Sequence, residues 1–154
     1  MPEILFHKQK FKHDPEAGTW GDCWRTCIAC ILRLPVDDVP HVFDKGASSK
    51  DAHSAMKQFL DLRGIHTIST CFKADGMDLD GFLSITAGWF GDMPFMLIGR
   101  SANDTNHVVI ARNGAIIHDP SLDLSGIVGP HHEGDGNFYW SGDLLVRPAA
   151  RRME

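Results

Sequence analysis

The segment between Asp22 and Pro35 constrains the fold most, because its pattern predicts one apolar helix that carries three of the four cysteines. At about 100° per residue, most of its apolar side chains fall on a single arc. That arc holds Cys23, Trp24, Cys27, Ile28, Cys30, Ile31, Leu32 and Leu34, while Arg25, Thr26, Ala29 and Arg33 fill the rest. Asp22 stands where an N-cap belongs, and Pro35 is a stop signal. We therefore expect a helix over residues 23–34, packed through its cysteine-bearing face.

Two further helices are predicted in the first half of the chain. Apolar residues recur at helical spacing over residues 49–63, where Ser48 can cap the helix and Gly64 can end it. A shorter helix is expected at residues 78–88, after a short strand at 65–72.

Strands dominate the second half. They are predicted at residues 94–99, 107–111, 115–119 and 144–147. Helices followed by an antiparallel run of strands indicate the α+β class. We expect one domain over residues 1–154, with an irregular segment at 1–21 and a frayed tail at 148–154.

Charge and composition exclude several function classes. Lysines and arginines number 15 against 20 aspartates and glutamates, a formal charge of −5 without a basic patch, so no nucleic-acid partner is expected. No apolar stretch approaches the ~18 residues that a membrane span needs, and residues 1–12 lack the apolar region of a signal peptide. Clustered cysteines indicate free thiols and not a secreted disulfide framework. These features predict a cytoplasmic protein without a membrane partner, and they leave the oligomeric state open.

Cys23 occupies the first turn of the predicted helix, which is a position that suits a nucleophilic thiol. Backbone N–H groups and the helix dipole stabilise a thiolate there. Because Cys23 also lies in the apolar arc, its sulfur is expected to point toward the rest of the domain. A nucleophilic cysteine further needs a histidine to accept its proton and a third group to orient that histidine.

The predicted hairpin around Asn113-Gly114 offers both groups in two alternative registers. In a two-residue type I′ turn, His107 shares a face with His118, which suits a His–His metal pair. In a three-residue turn that ends at Gly114, His107 lies opposite Asp119, which builds a Cys–His–Asp triad. Asn-Gly favours the first turn and a terminal glycine favours the second, so the sequence leaves the choice open.

Three motifs follow one another in the order Cys, His, Asp. They are Gly21-Asp22-Cys23 at the helix start, His107-Val108-Val109 far downstream, and Asp119-Pro120. Together they resemble the papain-like cysteine peptidases, nearest to the branch that processes double-glycine bacteriocin leaders and to small papain-like proteins of phages and bacteria. Residues 13–16, 39–41 and 118–121 look like this second group, and the resemblance covers about residues 9–125. It implies a papain-like fold, a cysteine-bearing N-terminal helix packed on an antiparallel sheet, with Cys23 as nucleophile, His107 as general base and acid, and Asp119 as the orienting group.

The resemblance also points to an oxyanion-hole residue. Papain-like enzymes usually place a glutamine a few residues before the cysteine, but here Ala17 stands at the sixth position upstream and the nearest preceding glutamine is Gln9. A longer intervening loop can bring Gln9 back to the site, where it and the backbone N–H of Cys23 are the candidate donors. Trp20 and Trp24 flank Cys23 and are candidate walls of a substrate cleft, although Trp24 can equally anchor the helix in the core.

The other cysteines and a histidine pair have structural interpretations. Cys27 and Cys30 continue one helical stripe, and zinc-binding cysteine pairs normally sit on a turn, so we interpret both as buried core residues. Cys71 ends a strand and is also expected in the core. The cluster at residues 131–135 resembles a metal site, but adjacent residues in a glycine-rich loop do not easily bind one ion, so a solvated loop is expected.

The combined pattern predicts thiol-dependent cleavage of a peptide or amide bond in a peptide or protein substrate, with no metal or organic cofactor. Deamidation and transamidation fit the same triad. The alternative from another class is a non-catalytic phage or bacterial protein that binds a host factor, which the missing near-upstream glutamine favours. A third alternative, a metal-dependent hydrolase using His107 and His118, needs the tighter hairpin register. If the chain is phage-encoded, the host cytoplasm is its expected location.

Overall fold

The computed structural model describes residues 3–149, which form three α-helices and one antiparallel sheet. The helices are α1 (Cys23–Leu32), α2 (Ser49–Asp61) and α3 (Leu79–Phe90). The strands are β1 (His66–Lys73), β2 (Phe95–Arg100), β3 (Asn106–Arg112), β4 (Ala115–His118), β5 (His131–His132) and β6 (Phe138–Val146). The sheet order is β1-β6-β2-β3-β4, with β5 paired to β6. The predicted α+β class, with an antiparallel sheet and an N-terminal helix that carries a cysteine, is confirmed.

The sheet is covered on both faces. Because side chains alternate along a strand, Val108 and Ile110 of β3 enter a core with α1 and α2. Val109 and Ala111 point the other way, into a second core against α3. The result is a three-layer arrangement with the sheet in the middle. No helix within residues 3–149 is long and apolar enough to cross a membrane.

Three expectations are wrong, two about the later strands and loops and one about a cysteine on β1. β6 begins at Phe138, well before the predicted residue 144, and its first residues pair with β5. The expected solvated loop at residues 131–135 therefore starts with a strand, and His131 is only 3% exposed. Cys71, expected in the core, is exposed on β1. Of the predicted tail, residues 150–154 lie outside the described residues, as do residues 1 and 2 of the N-terminal segment.

Helix α1 is enclosed on nearly all sides. Arg25, Thr26 and Ala29, which the periodicity places away from the apolar arc, are as buried as Cys27 and Cys30. The N-terminal segment covers part of the helix, since the Leu5 N–H donates to the Cys30 carbonyl at 3.1 Å. Cys27 and Cys30 are buried free thiols, in keeping with the core interpretation. The helix is thus a central element of the fold.

Asp22 does not act as the predicted N-cap, because its side chain makes no capping hydrogen bond to the first turn of α1. Its carboxylate instead accepts hydrogen bonds from the backbone N–H groups of Lys10 and Phe11, each at 3.0 Å, and from Arg25 Nε at 2.9 Å. Arg25 also donates to the Val39 carbonyl at 3.3 Å. Asp22 and Arg25 are 2% and 7% exposed. This buried ion pair ties the N-terminal segment and the loop after α1 to the start of the helix.

Replacing Asp22 with alanine leaves Arg25 buried without its carboxylate. Removing one partner of a buried pair costs about 3–5 kcal/mol, so Asp22→Ala should lower the free energy of unfolding by about that amount in urea denaturation. Asp38→Ala removes an exposed carboxylate from the loop after α1 and should change the same quantity by less than about 0.5 kcal/mol. Similar losses in the two variants would contradict the structural importance of the pair.

Candidate active site

Helix α1 and strand β3 bring Cys23 next to His107. One turn after Cys23, the Cys27 thiol donates a hydrogen bond to the Val108 carbonyl at 3.5 Å, which docks the helix against the strand beside His107. Cys23 is the first residue of α1 and is half-buried, whereas His107 is the second residue of β3 and is 5% exposed. The Cys23 thiol lies near the imidazole and raises the pKa of His107 against the opposing effect of burial.

The hairpin between β3 and β4 takes the tighter of the two predicted turns. Arg112 pairs with Ala115, so the loop contains only Asn113 and Gly114. Both loop residues have positive φ, 53° and 78°, as a type I′ turn requires. By itself this register would have placed His107 and His118 on one face of the hairpin.

A β-bulge after the turn reverses that outcome. Ile117 is an extra residue in β4, and the register shifts by one position there. Such a shift exchanges the faces to which the following side chains point. Asp119 therefore meets His107, while His118 hydrogen-bonds through Nε2 to the His7 carbonyl at 2.6 Å. The structure combines the turn of one predicted register with the His–Asp pairing of the other.

The bulge also separates the two histidines that the metal-dependent alternative required. His118 points away to His7, and His107 is bonded to Asp119. Within residues 3–149, no three histidine, cysteine, aspartate or glutamate side chains converge in a way that would hold a metal ion.

Asp119 is held rigidly by three donors. Its Oδ1 lies 2.7 Å from His107 Nε2 and accepts from the Ser121 N–H at 2.9 Å, and its Oδ2 accepts from the Gly126 N–H at 2.9 Å. Burial raises the pKa of Asp119, but the hydrogen bonds from His107 and Ser121 outweigh burial and lower the pKa to about 2. An ionised carboxylate only accepts hydrogen bonds, so Nε2 of His107 carries a proton and Nδ1 is left to interact with Cys23.

His107 is positively charged at neutral pH. Burial lowers its pKa, but the hydrogen bonds and charges of Cys23 and Asp119 outweigh burial and raise the pKa to about 9. A neighbouring imidazolium favours the thiolate form of a cysteine. The charged imidazole of His107 therefore lies near the Cys23 thiol and carries a proton that it can donate.

The backbone of Gln9 lies between the two halves of the site. Its N–H donates to the Pro120 carbonyl at 2.8 Å, one residue after the carboxylate that orients His107. The next N–H, of Lys10, donates to Asp22 at 3.0 Å, one residue before the thiol. The long N-terminal loop thus returns Gln9 to the site, although its function there stays a prediction.

The side chain of Gln9 is buried at 8% exposure and borders the same cavity as Cys23 and His107. One N–H of its amide donates to the Phe11 carbonyl at 2.6 Å. The amide has a second N–H donor, and its Oε1 has no hydrogen-bond partner within the described residues. The side chain therefore has unused hydrogen-bonding capacity at the cavity that Cys23 also borders.

A cavity of about 1060 Å³ opens in front of Cys23 and His107. Trp20 and Trp24 both border it, so the structure places both predicted cleft residues beside the thiol. Trp24 also packs against the core, and its ring lies 4.9 Å from that of His53 on α2. Trp24 therefore combines the two functions that the sequence left as alternatives.

Strands β5 and β6 form a wall of the cavity that the sequence did not predict. His131, Ser141 and Asp143 border the cavity there. A signal was present, because apolar Trp140, Gly142 and Leu144 alternate with polar residues in the period-2 pattern of a strand.

Comparison with protein-family models, with curated proteins and with solved structures found no match. The site combines the proximity of Cys23 to His107, the bond from His107 to Asp119, and the cavity that these residues face.

The raised pKa of His107 makes stability depend on pH. The protonated imidazole stabilises the folded state, because its folded pKa of about 9 exceeds the ordinary value near 6.5. This stabilisation is fully present below pH 6.5 and is lost as the pH rises through 9. The gap in unfolding free energy between the wild type and His107→Gln should therefore shrink by up to about 3 kcal/mol between pH 6 and pH 10, measured by urea denaturation. The exposed His66 provides a control, since His66→Gln should give a small gap at every pH. A His107→Gln gap that stays constant would contradict the charged assignment.

Proposed function

We propose that the protein is a thiol-dependent hydrolase of the papain-like type, which cleaves a peptide or amide bond through Cys23, His107 and Asp119. One observation carries the proposal: buried His107 is bonded to Asp119 at 2.7 Å, while the same ring interacts with a thiol at the start of α1. A cysteine-bearing helix packed on an antiparallel sheet agrees with the papain-like motifs in the sequence.

The first half of the reaction forms a thioester. The Cys23 thiolate bonds to the substrate carbonyl carbon, and the π electron pair moves onto the carbonyl oxygen. As the pair returns, the C–N bond breaks and the leaving nitrogen takes the proton from His107 Nδ1. Asp119 holds the other imidazole proton at Nε2, so the ring keeps its orientation through the transfer.

The second half releases the acid product. His107 is now neutral and accepts a proton from water, whose oxygen attacks the thioester carbon. The C–S bond breaks, the thiolate leaves, and the thiolate–imidazolium pair is restored. If an amine attacked the thioester in place of water, the reaction would be a transamidation. If the leaving group of the first half were ammonia from a glutamine side chain, the same steps would give deamidation.

Two donors are available for the developing oxyanion. Thr26 N–H donates to the Asp22 carbonyl at 3.1 Å as the first bond of the helix ladder, so the Cys23 N–H is not used within α1. The second donor in the proposal is the amide of Gln9, which borders the same cavity. Gln9 would thus replace the nearer glutamine of the family from an earlier position in the chain.

Thiol labelling tests the proposed Cys23–His107 pair without a known substrate. With iodoacetamide at pH 6, followed by peptide mass spectrometry, Cys23 should react at least about tenfold faster than exposed Cys71, which is the internal control. His107→Asn should remove that advantage because the imidazolium is lost. Buried Cys27 should stay unlabelled in the folded protein. If Cys23 and Cys71 react alike in the wild type, the hydrolase proposal is rejected in favour of a binding protein.

Turnover tests the proposed function of Gln9. Loss of one oxyanion donor commonly costs about 10²–10³-fold in rate, so Gln9→Ala should slow hydrolysis of a peptide library by that factor, measured by mass spectrometry of the products. Iodoacetamide labelling of Cys23 should be unchanged, because alkylation forms no oxyanion. Exposed Gln58 on α2 supplies the control variant Gln58→Ala, which should match the wild type in both measurements. Unaltered turnover in Gln9→Ala would exclude Gln9 from the oxyanion hole.

A further inference from the structure

The cavity wall formed by β6 carries polar side chains that the proposed reaction does not use. The sheet register aligns Val108, Ile98, Ser141 and Cys71 in one row across β3, β2, β6 and β1. Side chains in register point to the same face, so Ser141 stands two strands from Val108, or about 10 Å. Val108 is adjacent to His107, and the wall borders the same cavity as Cys23. A peptide of a few residues could therefore contact both the thiol and this wall.

A chain of close contacts runs through this wall. His131 Nε2 lies 2.7 Å from Ser141 Oγ, and His131 Nδ1 lies 2.8 Å from Glu133 Oε1. The His131 side chain is only 4% exposed, and its Nδ1 makes no aligned hydrogen bond within the described residues. The carboxylate beside the ring favours a proton on Nδ1, so Nε2 accepts from the Ser141 hydroxyl. The remaining lone pairs of the Glu133 carboxylate would accept from a ligand with N–H donors.

Asp143 supplies a second carboxylate on the same face of β6, two residues from Ser141. Burial raises the pKa of Asp143, while a hydrogen bond from Ser69 and the charges of His53 and His131 oppose that rise. Burying a carboxylate without a cationic partner is costly, and a bound cation would offset the cost.

The lysines and arginines in the described part of the chain do not supply such a cation. No lysine or arginine in residues 3–149 lies within ion-pair distance of Asp143 or Glu133. Lys57 borders the cavity but is paired with Asp61. Burial lowers the pKa of His131, so this ring is neutral at neutral pH and does not balance the carboxylates.

The contacts from Ser141 through His131 to Glu133 have the order of a serine nucleophile, its base and a carboxylate. The position of Ser141 within a strand favours ligand binding over nucleophilic catalysis. Ser141 lies inside β6, which pairs with β1 on one side and β2 on the other. Backbone N–H groups there serve the sheet, so they are not available to hold an oxyanion. The polar side chains of this wall are therefore suited to binding a ligand and not to nucleophilic attack.

We propose that Ser141, His131, Glu133 and Asp143 form a subsite for a cationic group of the substrate, an ammonium or guanidinium such as a lysine or arginine side chain carries. The two carboxylates supply charge and accept N–H donors, as does Oγ of Ser141, while the His131 ring contacts both Ser141 and Glu133. An extended peptide advances about 3.3 Å per residue, so the cationic residue lies within about three residues of the bond that Cys23 attacks. Only this placement relative to the cleaved bond rests on the proposed function.

Binding of two matched small amides tests the subsite without any reaction. N-acetyl-lysine-N-methylamide and its norleucine analogue have the same stem and differ in the ammonium. In an NMR titration of the ¹⁵N-labelled wild type, the lysine amide should shift the Ser141 and Asp143 amide signals and bind at least about tenfold tighter than the norleucine amide. Asp143→Asn and Glu133→Gln should each reduce that ratio, whereas Asp61→Asn, which alters a paired carboxylate at the cavity, should preserve it.

The outcomes separate the subsite from the hydrolase. Equal binding of the two amides, or a lysine preference that survives both Asp143→Asn and Glu133→Gln, overturns the subsite even if Cys23 is reactive. A lysine preference that these variants abolish supports the subsite even if Cys23 labels like Cys71, a result that would reject the hydrolase alone. Both variants should keep the fold, because asparagine has nearly the shape of Asp143 and the Glu133 side chain is mostly exposed. Each variant therefore tests the subsite independently.

Discussion

The buried carboxylate of Asp22 holds together the parts of the chain that surround Cys23. It binds Arg25 within α1 and two backbone N–H groups of the N-terminal segment, at Lys10 and Phe11. Because these contacts are shielded from water, their electrostatic attraction is stronger than at a surface. They place Gln9 near the thiol and enclose the helix start, so the local environment of Cys23 depends on a residue that performs no chemistry itself.

The second constraint is a single extra residue in β4. The type I′ turn at Asn113-Gly114 alone would direct His118 toward the face of His107, whereas the bulge at Ile117 brings Asp119 there. Asp119 is then fixed by backbone donors from the loop that follows it. An ionised, immobile carboxylate orients the imidazole, and the raised pKa of His107 follows from its position between Asp119 and Cys23. The proposed chemistry therefore depends on sheet register as much as on residue identity.

Local patterns predicted the elements well where local forces decide them. Ser48 caps α2 through a side-chain hydrogen bond to the first turn, as predicted, and the third helix begins within a residue of its predicted start, where Asp78 caps it. The prediction that Asp22 caps α1 was wrong because a buried arginine and two distant N–H groups outcompete the helix for its carboxylate. β5 was missed because two residues carry no periodicity, and the start of β6 was missed although its alternation is visible.

The sequence by itself determined the α+β class, the position of Cys23 in the first turn of a helix, and the residue types available to work with it. Each of these depends on neighbours within a few residues. The tertiary structure alone decided that Asp119 and not His118 meets His107, that Gln9 returns to the thiol, and that His131 is buried in the cavity wall. Those outcomes depend on a bulge, a buried ion pair and strand pairing between distant segments, because the free energy of each contact comes from partners that are remote in the chain.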